Sequence, residues 1–79
     1  MSLSIEAVKT GSLVTQKISG FSVKELSELN SMDYREMKMV IWNALVSRKM
    51  LSNKTQIINA WVNGNDVFIE TKECSECQN

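Results

Sequence analysis

The residues best suited to chemistry are two cysteines near the C-terminus, in the sequence Cys74-Ser75-Glu76-Cys77. Two thiolates at this spacing form half of many zinc sites, which further Cys or His ligands complete. The chain has only these two cysteines and no histidine, so a zinc site would need a second chain or carboxylates such as Glu73 or Glu76. A thioredoxin-type motif needs a helix after its first cysteine, for which we expect no room. The sequence therefore predicts a reduced cysteine pair, with no metal and no other cofactor.

The rest of the sequence lacks the patterns that are typical of enzymes. Histidine, the usual general base near neutral pH, is absent. No nucleophile is paired with a base in a familiar spacing, and no pair of carboxylates lies at a credible site. The three glycines, at positions 11, 20 and 64, are too scattered for a phosphate-binding loop. We therefore expect a protein that acts by binding and not by catalysis.

Basic side chains are concentrated in the middle of the chain. Residues 31–65 contain five basic and two acidic side chains, and residues 66–79 contain one basic and four acidic ones. The net charge is zero, which does not favour avid nonspecific binding to nucleic acid. A neutral total still allows a local basic face that contacts phosphate. The alternative is that these side chains form an ordinary solvent-exposed face. The side chains in question are Arg35, Lys38, Arg48, Lys49 and Lys54.

Length and composition indicate one small globular domain. The chain has 79 residues, of which 43% are hydrophobic and 23% are charged, so disorder is not expected. No apolar run approaches the roughly 18 residues that a membrane-spanning helix needs. The N-terminal residues lack the basic cluster and apolar core of a signal peptide. The sequence thus predicts a cytoplasmic domain over residues 1–73 and an acidic, mobile tail over residues 74–79.

Two successive helix starts are encoded between Phe21 and Met37. Ser22 can cap a helix while Glu25 reaches back to form a capping box, and Asp33 and Glu36 repeat this pattern. Two complete capping boxes are unlikely to arise by chance, so we expect the chain to turn between two helices. The predicted helices are residues 23–29 and 34–50, with a turn over residues 30–33.

The second predicted helix is apolar on two sides. One side forms the expected core stripe, which comprises Met37, Val40, Ile41, Ala44 and Leu45. The opposite side carries Met39, Trp42 and Val46. These three side chains either pack inside the monomer or form a surface for a protein partner.

Residues 56–72 have the pattern of a β-hairpin. Residues 63–66 favour a tight turn, and pairing Val62 with Val67 collects the apolar side chains on one face. Trp61 and Phe68 then lie together on the other face, where they either pack under a second layer or bind a partner or a base. Before the helices, Leu3–Lys9 is predicted to be a short helix and Leu13–Ile18 a strand.

This order of elements resembles a winged helix-turn-helix domain. The similarity rests on "FSVKELSELNSMDYREMKMVIWNALVSRKML" at residues 21–51 and on "QIINAWVNGNDVFIETK" at residues 56–72. It implies an α+β fold with two or three helices and a C-terminal β-hairpin. It also implies a DNA-binding transcriptional regulator or accessory factor whose helix 34–50 enters the major groove. A domain this small makes few contacts, so we expect a homodimer.

Two sets of site residues follow from these alternatives. If the resemblance holds, the side chains that contact DNA are Arg35, Lys38, Asn43, Lys49, Asn63 and Asn65. The competing hypothesis is a protein-interaction module, such as a small adaptor or an inhibitor of a larger machine. Its partner-binding residues are Met39, Trp42, Val46, Trp61 and Phe68.

Overall fold

The computed structural model of the protein describes residues 3–9, 11 and 13–73. Its elements are β1 (Ser4–Lys9), β2 (Val14–Ser19), α1 (Val23–Ser31), α2 (Tyr34–Ser47), β3 (Thr55–Asn63) and β4 (Asp66–Glu73). The four strands form one antiparallel sheet in the order β1-β2-β4-β3. The predicted tail at residues 74–79, with both cysteines, lies outside the described residues. Neither α1 nor α2 is long and apolar enough to cross a membrane.

The predicted winged helix-turn-helix fold is wrong. The chain begins with two strands, and the C-terminal hairpin is not a separate wing because β4 lies between β2 and β3. The predicted helix Leu3–Lys9 is strand β1, in which Ile5 pairs with Ile18 and Glu6 pairs with Lys17. Consecutive side chains of a strand point to opposite faces of the sheet, so Ile5 faces the core and Glu6 faces away from it. The predicted strand Leu13–Ile18 is confirmed as β2.

The two predicted helices and a turn between them are confirmed, but α1 continues to Ser31, so the turn is shorter than residues 30–33. Ser22 Oγ accepts a hydrogen bond from the Glu25 N–H at 3.1 Å, and Glu25 Oε1 accepts one from the Ser22 N–H at 2.9 Å. This complete capping box starts α1. At the start of α2, Asp33 Oδ1 accepts from the Glu36 N–H at 2.8 Å, but the reciprocal bond from Glu36 is missing among the described contacts. The chain therefore reverses just before Asp33, as predicted.

Helix α2 ends earlier than predicted, at Ser47 and not at residue 50. Lys49 lies beyond it with φ 61°, in the left-handed region. Its N–H donates to the Val46 carbonyl at 2.9 Å, and the Met50 N–H donates to the Leu45 carbonyl at 2.8 Å. These two bonds are the pair that defines a Schellman motif. Lys49 occupies the position where glycine is favoured, and the chain leaves the helix there.

The core lies between the two helices and one face of the sheet. Its buried members are Ile18, Leu26, Leu29, Ile41, Leu45, Ala60, Val67 and Ile69. Each helix contributes two of these side chains, at the spacings expected for one helical face. Of the predicted α2 stripe, Ile41 and Leu45 are fully buried, whereas Val40 is 38% exposed. The stripe is therefore narrower than the sequence predicts.

The hairpin has the predicted register at its tip but not at its base. Val62 pairs with Val67, and the two-residue turn has Gly64 at φ 66°. The register then shifts, because Ile57 pairs with Thr71 while Asn59 pairs with Glu70. This bulge places Ile57 against the core, whereas unbroken alternation from Ala60 would place Ile58 there.

Candidate binding surface on the outer face of the sheet

The face of the sheet that points away from the helices carries a row of side chains across all four strands. Glu6 pairs with Lys17, Lys17 with Phe68, and Phe68 with Trp61. Directly paired residues of antiparallel strands project to the same side, so these four side chains are neighbours on one surface. The core side chains Ile18 and Val67 lie one position along and point the other way. The row thus crosses the outer face from β1 to β3.

Trp61 and Phe68 are stacked in this row. Their ring centroids are 5.8 Å apart and their planes differ by 7°, which is the geometry of an offset stack. Trp61 is 39% exposed and Phe68 is half-buried. Within the part of the chain that the structure describes, no second layer covers the two rings. The prediction that they share the face opposite the core is confirmed.

The first turn of α2 is tied to the same surface by polar contacts. The Tyr34 hydroxyl lies 3.2 Å from the Ile58 carbonyl oxygen and within hydrogen-bond distance of Asn59 Oδ1. Asn59 Nδ2 in turn donates to Glu70 Oε1 at 2.6 Å. Lys38 Nζ lies 4.5 Å from the centre of the Tyr34 ring, a cation–π contact. These contacts fix Tyr34, which is 47% exposed, at the border of the outer face.

We define the aromatic face as the two stacked rings with the side chains around them that the strand pairing brings together. Its members are Trp61, Phe68, Lys17, Asn59 and Glu70.

Basic and acidic side chains are balanced over the whole outer face. The strand register places Glu6, Lys9, Lys17, Asp66, Glu70 and Lys72 there. Lys17 Nζ lies 4.0 Å from Glu6 Oε1, and Asp66 Oδ1 accepts from the Ser19 hydroxyl at 3.0 Å. The aromatic face therefore sits in electrically neutral surroundings.

Trp42 has a different role from the other predicted partner-binding residues. Its indole N–H donates to the Thr55 carbonyl oxygen at 2.7 Å. Thr55 is buried at the start of β3, which is an edge strand, so Trp42 covers part of that edge. Met39 is 58% exposed on α2, while Val46 is half-buried. Of the predicted set, Trp61 and Phe68 are stacked on each other across two strands.

The residues predicted to contact DNA do not form one surface. Helix α2 runs opposite to β3, because Tyr34 at its start contacts Ile58 whereas Trp42, further along the helix, contacts Thr55. The hairpin turn is at the far end of β3, about 26 Å from Thr55 at about 3.3 Å per residue. Asn63 and Asn65 are exposed at this turn, Arg35 and Asn43 are exposed on α2, and Lys38 is half-buried against Tyr34. Lys49 follows the opposite end of α2.

Comparison of the chain with protein-family models, with curated proteins and with solved structures found no match. Its function is therefore inferred from the geometry of the chain itself.

The sequence pattern does not reveal every residue of this surface. Lys17 joins the aromatic rings only because β2 and β4 are neighbours, with Lys17 opposite Phe68. The alternation of β4 does predict that Glu70 shares a face with Phe68, because the two residues are two positions apart. No comparable signal in the sequence assigned Tyr34 to the border of the outer face, because that contact joins residues 24 positions apart.

Proposed function

We propose that this protein is a binding module whose protein partner docks on the aromatic face. The observation that supports this function is the stacked pair of Trp61 and Phe68, which lies partly exposed on the outer face of β3 and β4. Trp and other aromatic side chains contribute a large share of the binding energy in protein interfaces, most of all near the centre of the contact. The balanced charges around the pair suit a polar rim.

The electrostatics favour a protein partner over nucleic acid. Proteins that bind single strands combine aromatic rings with a positively charged groove that follows the phosphates. Here three basic side chains are offset by three acidic ones on the same face, and the whole chain has zero net charge. In addition, each ring turns one of its faces to the other ring, so fewer ring faces are left for stacking on bases.

The role of a DNA-binding regulator stays a prediction. Its residues are spread over both ends of α2 and the hairpin turn, and no described contact favours it. The salt dependence of the binding affinity distinguishes a DNA ligand from a protein partner. Phosphate contacts weaken steeply as the salt concentration rises, whereas an aromatic protein interface does not. A location in the cytoplasm and a homodimer are compatible with the proposed function, the second copy being one candidate partner.

Site-specific photo-crosslinking tests the proposal. A photoreactive phenylalanine is placed at Asn63, which is exposed, lies two residues from Trp61 and shares its face. The matched control position is Val23 on α1, which is 79% exposed. Both proteins are expressed in the cells that make this chain and are irradiated there. The products are then digested separately with nuclease and with protease.

We expect an adduct from position 63 that protease removes and nuclease does not, and that is lost when Trp61→Ala is added. Position 23 should give no such adduct. An adduct of twice the chain mass would identify the partner as a second copy. Equal adducts from both positions, or an adduct that nuclease removes, would contradict a protein site on the aromatic face.

A further inference from the structure

The charges on the outer face of the sheet are not evenly distributed. Among the described residues, the half formed by β1 and β2 carries two basic side chains and one acidic one. The half formed by β3 and β4 carries one basic side chain and two acidic ones. These side chains are, in that order, Lys9, Lys17, Glu6, Lys72, Asp66 and Glu70. The outer face is therefore neutral as a whole, with a basic half and an acidic half.

Lys17 and Glu70 are the charged members of the aromatic face, and both can contact a partner. The Nζ of Lys17 is 4.0 Å from Glu6 Oε1, at the limit of an ion pair, and Glu6 is exposed. Exposed pairs of this kind are weak, so Lys17 keeps hydrogen-bond donors for another carboxylate. Glu70 is half-buried and accepts from Asn59 through Oε1, which leaves its second oxygen for a cation.

Two copies of this outer face can pair about a twofold axis in two ways, because sheets that pack face to face align their strands within about 30°. With the axis parallel to the strands, β2 of one copy lies over β4 of the other, since the strand order is β1-β2-β4-β3. With the axis across the strands, each strand lies over the same strand of the second copy.

The charges distinguish these two arrangements. With the parallel axis, the basic half of each copy covers the acidic half of the other. Lys17 then lies over Phe68 of the second copy, where Asp66 and Glu70 are two residues away on either side. With an axis across the strands at Lys17, that residue would oppose its own copy, and Asp66 would oppose Glu70. Opposed like charges are destabilising, so the parallel axis is favoured.

We propose that the partner on the aromatic face is a second copy of this chain, with β2 of each copy over β4 of the other. This inference rests on the proposed function, because it names the partner of that same surface. Lys17 of each copy contacts Glu70 of the other, and β1 of each copy covers the exposed side of the Trp61 ring in the other. Each of these contacts occurs twice, as in every interface with twofold symmetry.

The size of the face indicates a weak dimer. Four strands about 4.8 Å apart, with at least six residues of about 3.3 Å each, form a surface of roughly 20 Å by 20 Å. Pairing two such surfaces buries roughly 800 Å² in total, a size that is typical of weak and transient interfaces. We therefore expect a Kd of about 100 μM, so that dimers form at high local concentration.

Sedimentation equilibrium of the natural full chain between about 10 μM and about 1 mM measures the self-association. Lys17→Glu and Glu70→Lys each place like charges together twice per dimer, so each should raise the Kd at least about tenfold. Lys24→Glu is the matched control, because Lys24 is exposed on α1. This charge reversal should leave the Kd within about twofold of that of the natural chain.

Mixing the variants tests whether the two positions meet between copies. In a dimer of Lys17→Glu with Glu70→Lys, both contacts again join opposite charges. Fluorescently labelled Glu70→Lys should therefore bind unlabelled Lys17→Glu with the Kd of the natural dimer. Lys24→Glu has the same net charge as Lys17→Glu but keeps one like-charge contact with Glu70→Lys, so it should bind more weakly.

Circular dichroism establishes that each variant is folded. If Glu70→Lys does not fold, Glu70→Gln replaces it, because glutamine keeps an acceptor for Asn59 and removes the charge. Glu70→Gln should raise the Kd of self-association, and an unchanged Kd would contradict the contact with Lys17.

Three results would overturn the proposal: no self-association of the natural chain up to about 1 mM, self-association that Lys17→Glu leaves unchanged, and a mixture of the two variants that binds no more tightly than either variant alone. The photo-crosslinked adduct from position 63 separates this failure from that of the proposed function. A protein adduct that does not have twice the chain mass would refute the second copy and retain a protein partner on the aromatic face. The absence of any protein adduct would refute the proposed function itself.

Discussion

One tryptophan packs beside strand β3 and the other belongs to it. The difference between their contacts shows how an aromatic side chain can be assigned to folding or to binding. Trp42 lies beside the start of β3 and donates its indole N–H to the carbonyl oxygen of buried Thr55. Trp61 belongs to β3 itself and stacks on Phe68 on the outer face. Both are partly exposed, so exposure alone does not separate them. Their contacts do, because only Trp42 satisfies a backbone group of an edge strand.

The two edges of the sheet differ in a related way. The β3 edge is covered by side chains of α2, since Trp42 and Tyr34 reach carbonyl oxygens of that strand. The β1 edge has no such cover among the described residues. Instead, its register shifts between Ala7 and Lys9, and it carries charged side chains at Glu6 and Lys9. Bulges and charges of this kind discourage pairing with other strands. We therefore place the binding surface on a face of the sheet and not at its edge.

The largest expected effect comes from truncating each tryptophan in turn. Trp42→Ala should lower the free energy of unfolding by about 3 kcal/mol, because it leaves a cavity and an unpaired carbonyl. Trp61→Ala should lower it by about 1 kcal/mol, the value of a lost aromatic stack. Urea denaturation measures both. Equal losses would remove the distinction between the two side chains.

A smaller change isolates the hydrogen bond of Trp42. Trp42→Phe keeps most of the apolar ring and removes the indole N–H, so the free energy of unfolding should fall by about 1.5 kcal/mol. Trp61→Phe is the control and should change it by less than about 0.5 kcal/mol, because a stacked pair is retained. If the two substitutions have the same effect, the contact with Thr55 does not contribute to stability.

The stack itself is measured by a double-mutant cycle. We expect a coupling free energy of about 1 kcal/mol between Trp61→Ala and Phe68→Ala. The same cycle with Trp42→Phe and Phe68→Ala should be additive, since no described contact joins those side chains. Coupling in the second cycle as strong as in the first would mean that the two regions are not independent.

The smallest expected effect concerns the end of α2, near the contact of Trp42 with Thr55. Lys49→Gly should raise the free energy of unfolding by about 0.5 kcal/mol, because glycine tolerates the left-handed conformation that Lys49 adopts. Lys54→Gly removes the same charge at a position outside the left-handed region and should lower it. A loss of stability in both variants would contradict the Schellman motif as the end of α2.

Local signals in the sequence predicted the local elements of the fold. Ser22, Glu25 and Asp33 identify the two helix starts, and the pairing of Val62 with Val67 follows from the apolar pattern of the hairpin. Such features depend on neighbours within a few residues. The position of β4 between β2 and β3 does not, because it depends on which strands meet across more than 40 residues. For that reason the sequence pattern does not reveal the four-stranded sheet, and it wrongly predicts a helix over Leu3–Lys9.

In the candidate site, too, local features are predictable from the sequence and contacts between distant elements are not. Trp61 and Phe68 were predicted to share a face because they are paired across a hairpin. Trp42 was grouped with them because its helix position is apolar on the outside, and nothing in the sequence reveals its bond to Thr55. Lys49 was predicted to contact DNA from a helix, but it lies just beyond α2. Contacts between distant elements therefore decide which apolar residues remain available to a partner.

The most direct test of the central claim is the yield of the adduct from position 63 in two variants that remain folded. Far-ultraviolet circular dichroism first establishes that Trp61→Ala and Trp42→Phe are both folded. We predict that Trp61→Ala abolishes the protein adduct while Trp42→Phe retains it. Loss of the adduct in Trp42→Phe, together with its survival in Trp61→Ala, would show that the partner does not bind through the aromatic face.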